Sequence, residues 1–390
     1  METEFNFDDM RPYYDSEIAG AIERVCNNEE FVKVLPYIFP DADPNVIVEK
    51  VKQIKTADDF QKIIMTRFLG NLVENTSDGL SNNGIDALTN DKKYLFISNH
   101  RDIILDAALL NVQLIAKGIQ TSQNAIGDNL CSKPWITDLM KINKSLIVNR
   151  SGTKREIFMS SQKMSTYIRS MITENKSSVW IAQREGRAKD SNDVMQESLL
   201  KMLNMSSENV KQGFMDLNIT PIAICYEYDA CDFLKAKEFQ QKRDDPDFKK
   251  SAQDDIINMN TGLRGYKGRI HYEVTKTITP LIDQLVNDDD DRQQVIEKVA
   301  KLIDGAIHKA YRFFPGNYVA YDERFGTDRF KDKYSTIEKN TFDNYLEEQI
   351  NKIDLENKDE EFLRSKMLEM YSNTLVNNLA SVGELSKDKT

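Results

Sequence analysis

Between about residue 92 and residue 280 the chain alternates short apolar runs with longer segments of helical period, and this texture constrains the fold most. The runs are Tyr94–Ser98 (YLFIS), Ser145–Val148 (SLIV), Val179–Ala182 (VWIA), Ile219–Tyr226 (ITPIAICY) and Ile270–Val274 (IHYEV). Between them lie 103–116, 155–174 and 197–203, whose apolar residues recur every three or four positions. Strand–helix alternation of this kind predicts an α/β fold, with a mixed, largely parallel sheet flanked by helices.

The flanks read differently. Residues 1 to about 85 are helical in period (Ile18, Ile22, Val25; Phe60, Ile63, Ile64, Phe68), broken by Pro36, Pro40 and Pro44. The stretch NTSDGLSNNG (75–84) has the composition of a turn-rich linker. From Pro280 onward the pattern is helical and acidic, and NDDDDR (287–292) reads as a solvated charge run. The expected organisation is an N-terminal helical region (1–85), an α/β domain (86–280) and a helical C-terminal extension (281–390).

Charge narrows the partners. The chain of 390 residues carries −11 overall, which argues against nucleic acid as a general partner. Between Lys141 and Lys189, however, eleven Lys/Arg face three Glu, a local balance of +8 that suggests an anion site. Cys26, Cys131, Cys225 and Cys231 show no C-x-x-C spacing, so neither a zinc site nor a disulfide framework is expected. The opening METEFNFDDM has no basic n-region and no apolar core, and no window approaches a spanning helix. A cytosolic location is expected on those grounds.

Three histidines occur. His271 falls inside an expected strand and His308 in an amphipathic helix, where packing or surface roles suffice. His100 directly follows YLFIS and precedes a helix, at a strand's carboxyl end where α/β folds gather their ligand and catalytic groups. Asp102 is placed to cap that helix. Asp106, expected at its fourth position, can lean back toward His100. A carboxylate on one imidazole nitrogen fixes the tautomer and frees the other to take a proton from a hydroxyl. The HRD triplet lacks the other protein-kinase signatures, and GLRGYKG (262–268) follows no strand and reads as a loop. SLIVNR ends in Arg150, and VWIAQREGR delivers Arg184, Glu185, Gly186 and Arg187 beyond another strand. Guanidinium groups there suit phosphate, with Gly186 permitting close approach of backbone to a ligand.

These blocks, in this order, resemble the glycerophosphate acyltransferase superfamily, particularly its glycerol-3-phosphate acyltransferase-like members. Asn99-His100 with a following Asp is similar to the family's N-H-x4-D motif, SLIVNR to its second block, REGR to its third and ITPIAI, around Pro221, to its fourth. The spacing departs by one residue: Asp106 stands six after His100, Asp102 two after, and position 105 is leucine. The third block lacks the residue between Gly186 and Arg187 and has Ala188 where serine is usual. The resemblance implies that His100 is a general base oriented by Asp106, with Asp102 as the other candidate partner. It implies that Arg150, Glu185, Gly186 and Arg187 bind the acceptor, with Asn99, Arg184 and Pro221 as further candidates. The implied reaction moves a fatty acyl group from acyl-CoA or acyl carrier protein to lysophosphatidic acid or glycerol 3-phosphate, with no metal and no cofactor. The implied location is the inner face of the membrane, held peripherally. A lyso-lipid acceptor without phosphate, or a lipid-binding protein without catalysis, are the alternatives.

Overall fold

The computed structural model describes residues 5–39, 42–149 and 152–385. Its centre is a seven-stranded sheet built from β1 (Leu80–Asn83), β2 (Leu95–Ser98), β3 (Gln123–Gly127), β4 (Ser145–Val148), β5 (Val179–Ala182), β6 (Ile219–Tyr226) and β7 (Ile270–Val274). The spatial order is β1-β7-β6-β2-β5-β3-β4. β6, β2, β5, β3 and β4 run parallel; β7 is antiparallel to β6, and β1 is parallel to β7. The α/β expectation holds, with helices on both faces.

β2 lies at the middle because its residues can be buried on both sides. Leu95 and Ile97 face one core, with Ile181 of β5 and the helix Arg292–Lys309, while Phe96 faces the other, with Trp180 and the helix Leu105–Ala116. The chain leaves β2 for β3 on one side, and the later connection from β5 to β6 crosses to the other. Such a reversal opens a crevice at the carboxyl ends of the strands. Register aligns those ends, since Ser98 pairs with both Ala182 of β5 and Ile222 of β6.

Three readings change. The stretch taken as a linker supplies β1, which pairs with β7 and needs no apolar alternation because backbone bonds hold it, aided by bonds from the polar side chains of Ser81 and Asn83 to β7. Its bracketing Gly79 and Gly84 take φ of 110° and 81°, the left-handed region that made the segment look like turns. β3 (QNAIG) also escapes the apolar pattern: Asn124 is buried but accepts from the Asn111 amide and the Ser122 hydroxyl. GLRGYKG is a loop only from Gly265 onward, because Gly262 lies inside the helix Ala252–Arg264.

The helical flanks pack onto this body. Ile18, Ile22, Leu35 and Phe60 form an N-terminal core that includes Ile142 from the helix Pro134–Ile142. Val295, Val299, Ile303 and Ile307, all from the helix Arg292–Lys309 of the C-terminal helical region, cover one face of the sheet. Beyond them Val319, Phe342, Leu346, Leu363 and Met367 form a further core against Ala236.

Candidate active site

β2 runs directly into Asn99. Its side chain is fully buried and imitates a strand, donating to the Ile224 carbonyl (2.9 Å) and accepting from the Ile224 amide (2.8 Å) of β6. This double bond carries the sheet's order one residue past its last ladder pair, and His100 follows from a fixed base.

The His100 Nδ1 lies 2.8 Å from Asp106 Oδ2. That carboxylate is 1% exposed and heavily bonded. It also accepts from the amides of Arg101 (2.7 Å) and Asp102 (3.1 Å), and its Oδ1 from the Tyr226 hydroxyl (3.3 Å). With so many donors aimed at it, Asp106 is built to be an anion, so His100 gives it the Nδ1 proton and keeps Nε2 as the acceptor. The imidazole side chain remains 15% exposed and stands edge-on to Trp180, centroids 6.0 Å apart. Tyr272 donates to the Asp106 carbonyl (2.9 Å) from below. Burial holds the Tyr226 and Tyr272 phenols protonated, well above their ordinary range.

Asp102 performs the capping task expected of it, accepting from the amides of Ile104 (2.9 Å) and Leu105 (2.8 Å). The helix starts at Leu105, so Asp106 is its second residue rather than its fourth; the turn before it takes up the additional residue of the His–Asp spacing. Burial, then the neighbouring charge of Asp106, pushes the Asp102 carboxyl above the usual carboxylate range. Its Oδ2 rests where a side chain on Gly262 would sit, 2.0 Å from an ideal Cβ. Gly262→Ala is therefore expected to displace Asp102, costing about 1–3 kcal/mol of stability and lowering kcat. Denaturant unfolding and steady-state rates check this; unchanged values in both would remove the contact's importance.

The turn after β5 holds the other expected residues. Gln183 is buried, Arg184 half-buried, and Glu185 and Gly186 exposed, with Gly186 at φ 68°. The Glu185 amide donates to Gln196 (2.8 Å). Arg187 is half-buried and donates to Asn258 through Nη2 (3.0 Å), while its Nη1 is buried without a partner among the described residues. Its charge favours the ionised forms of Asp102 and Asp229, but at Asp102 burial outweighs it and the carboxyl stays above its usual range. Pro221 sits inside β6 opposite Ile97, its carbonyl taken by Thr275. Arg150 lies outside the described residues. The structure thus brings Asn99, His100, Asp102 and Asp106 together, with Arg187 beside Asp102.

Behind the His100 turn lies a buried network of charged groups that no sequence pattern marks. The Arg101 guanidinium, 7% exposed, pairs with Asp193, 0% exposed. Burial disfavours the charged guanidinium, but Asp193 and further negative groups more than offset this, and its pKa stays above the ordinary value. Tyr311 donates to Asp193 Oδ2 (2.7 Å), and His308 Nε2 to its carbonyl (2.6 Å). Lys235 reaches the Arg101 carbonyl (3.5 Å) and pairs with Asp229. The sequence signal was the second letter of HRD; its partners lie in loops and distant helices without a pattern.

An imidazole oriented by a buried carboxylate at the crevice of an α/β sheet has the geometry to accept a proton from a hydroxyl. Residues 80–224, which hold β1 to β6 up to Ile224, match the Acyltransferase family model. Among solved structures the chain is similar to the 1-acyl-sn-glycerophosphate (LPA) acyltransferase PlsC from Thermotoga maritima, at 11% identity and TM-score 0.36, covering 74% of this chain and 93% of that one. No curated protein matches the chain. Among the described residues no helix is long and apolar enough to cross a membrane.

Proposed function

We propose that the protein transfers a fatty acyl group from an acyl thioester, acyl-CoA or acyl carrier protein, to a hydroxyl of a glycerol-phosphate-type acceptor, lysophosphatidic acid or glycerol 3-phosphate. The observation that carries this reading is the 2.8 Å contact between His100 Nδ1 and the anchored Asp106 inside the segment that matches the Acyltransferase family model. His100 Nε2 takes the acceptor's hydroxyl proton as the oxygen attacks the thioester carbonyl. The tetrahedral intermediate then expels the thiolate, which leaves with the proton from the imidazolium. Asp106 holds the ring and stabilises its transient positive charge.

Arg187, whose Nη1 has no protein partner among the described residues, supports a phosphate-bearing acceptor. Arg150 is assigned to the same role by its place at the end of SLIVNR. Contacts to a non-reacting phosphate bind ground and transition states alike. Arg150→Ala and Arg187→Ala are therefore expected to raise the acceptor KM more than they lower kcat. An unchanged acceptor KM in both would remove the clamp.

The decisive assay incubates the full chain with acyl-CoA or acyl carrier protein and each acceptor, the lipid acceptor in anionic vesicles, and reads acylated product by mass spectrometry. Product from phosphate-bearing acceptors that vanishes in His100→Ala supports the reading. Product only from lyso-lipids without phosphate overturns the acceptor class, and no product from any hydroxyl acceptor leaves a lipid-binding protein. A peripheral encounter with the membrane follows from the lipid product; loss of vesicle association at high salt is its electrostatic signature.

A further inference from the structure

A broad concavity among the described residues lies away from His100. It is an open groove of about 1020 Å³ formed by β7, the turn beyond it and the last turn of the helix Arg292–Lys309. Along β7, Ile270, Tyr272 and Val274 pack toward the helix that carries Asp106. His271 and Glu273 therefore point to the opposite face, and the sheet stands between the groove and the catalytic imidazole.

The groove is amphipathic. Ile278, Pro280, Leu281, Ala306 and Ala310 supply an apolar wall, and Leu281 is 42% exposed. Three cations, Lys276, Lys309 and Arg312, line it and are exposed. No ion pair is recorded for them among the described residues; Arg312 only approaches His271 Nδ1, at 3.4 Å. The carboxylate of the lining, Glu273, is already engaged by Asn83 Nδ2 (2.9 Å) and His271 Nε2 (3.1 Å). In a chain of net charge −11, three unpaired cations beside an apolar trough are a local inversion. Ligand sites combine such an apolar lining with a few convergent polar groups.

We propose that this groove binds a single-chain anionic amphiphile, its head group on Lys276, Lys309 and Arg312 and its chain along Pro280, Leu281 and Ala306. Carboxylate and phosphate monoester head groups share the chemistry, and the site is separate from the acyl-transfer centre.

Calorimetric titration of the full chain with dodecyl phosphate, dodecanoate and inorganic phosphate, all below micelle concentrations, tests it. Dodecyl phosphate or dodecanoate is expected to bind, and whichever is tighter identifies the head group. Lys276→Glu/Lys309→Glu should weaken one binding event by at least about tenfold, since each surface cation contributes substantially to anion attraction. Ala306→Trp/Ala310→Trp should do the same by filling the trough. Neither change touches His100, so acyl transfer in the charge variant reports an intact fold. Shortening the chain from dodecyl to octyl should also weaken binding at least about tenfold, because each methylene buried is worth up to about fourfold. Titrations identical to wild type in both variants overturn the proposal. So does inorganic phosphate binding as tightly as the amphiphile, or no binding of either chain.

Discussion

Replacing His100 with alanine is expected to reduce kcat by at least about 10²–10⁴-fold, the usual contribution of a positioned general base. The fold should survive. The imidazole is partly exposed, and Asp106 keeps the amides of Arg101 and Asp102 and the Tyr226 hydroxyl after losing it. Steady-state rates alongside circular dichroism separate the two effects. A folded variant that retains near wild-type turnover would end the general-base assignment. Asp106→Asn extends the argument, since an amide oxygen still accepts but no longer balances an imidazolium. Its loss should fall in kcat rather than in KM.

Asp193→Ala carries the largest expected stability effect. It leaves the buried Arg101 guanidinium without its counter-ion, and breaking a buried pair on one side costs about 3–5 kcal/mol. Tyr311 loses its acceptor as well. Because the Arg101 amide is one of the donors to Asp106, loosening this residue should also disturb the His100–Asp106 pair and, on the proposed function, lower kcat. Urea unfolding measures the first effect and turnover the second. The double replacement Arg101→Met, Asp193→Leu removes both charges, and buried pairs replaced by apolar residues are often neutral in stability. It should therefore recover much of the unfolding free energy. A double variant no more stable than Asp193→Ala would show that the cost lies elsewhere, in packing or in the Tyr311 and His308 bonds.

How much of the site could be read in advance depended on distance along the chain. His100 and Asp106 are six residues apart, and a strand followed by a helix turns that spacing into a contact through local geometry alone. The odd spacing raised the question of which carboxylate serves; the turn before Leu105 answers it, leaving Asp102 to the amides and Asp106 to the imidazole. The groove on the other face left no trace in the sequence. Lys276 comes from the loop after β7, Lys309 from a helix end and Arg312 from the loop beyond it, and only the packing of that helix on the sheet makes them one surface.

The amino-acid sequence by itself determined the strands whose two faces are both buried, because a doubly buried strand must be apolar throughout and so stands out. It determined, too, the imidazole at the end of the central one. Tertiary structure alone decided what those residues touch. β1 and β3 exist because backbone and amide partners were waiting for them. Asn99 is locked by Ile224, Arg101 is balanced by Asp193, and Asp102 is given room by Gly262. Each of these contacts joins segments remote in sequence, and no local pattern encodes them. Desolvation makes them matter, since a charge or amide shut away from water must find its partner wherever the fold brings one.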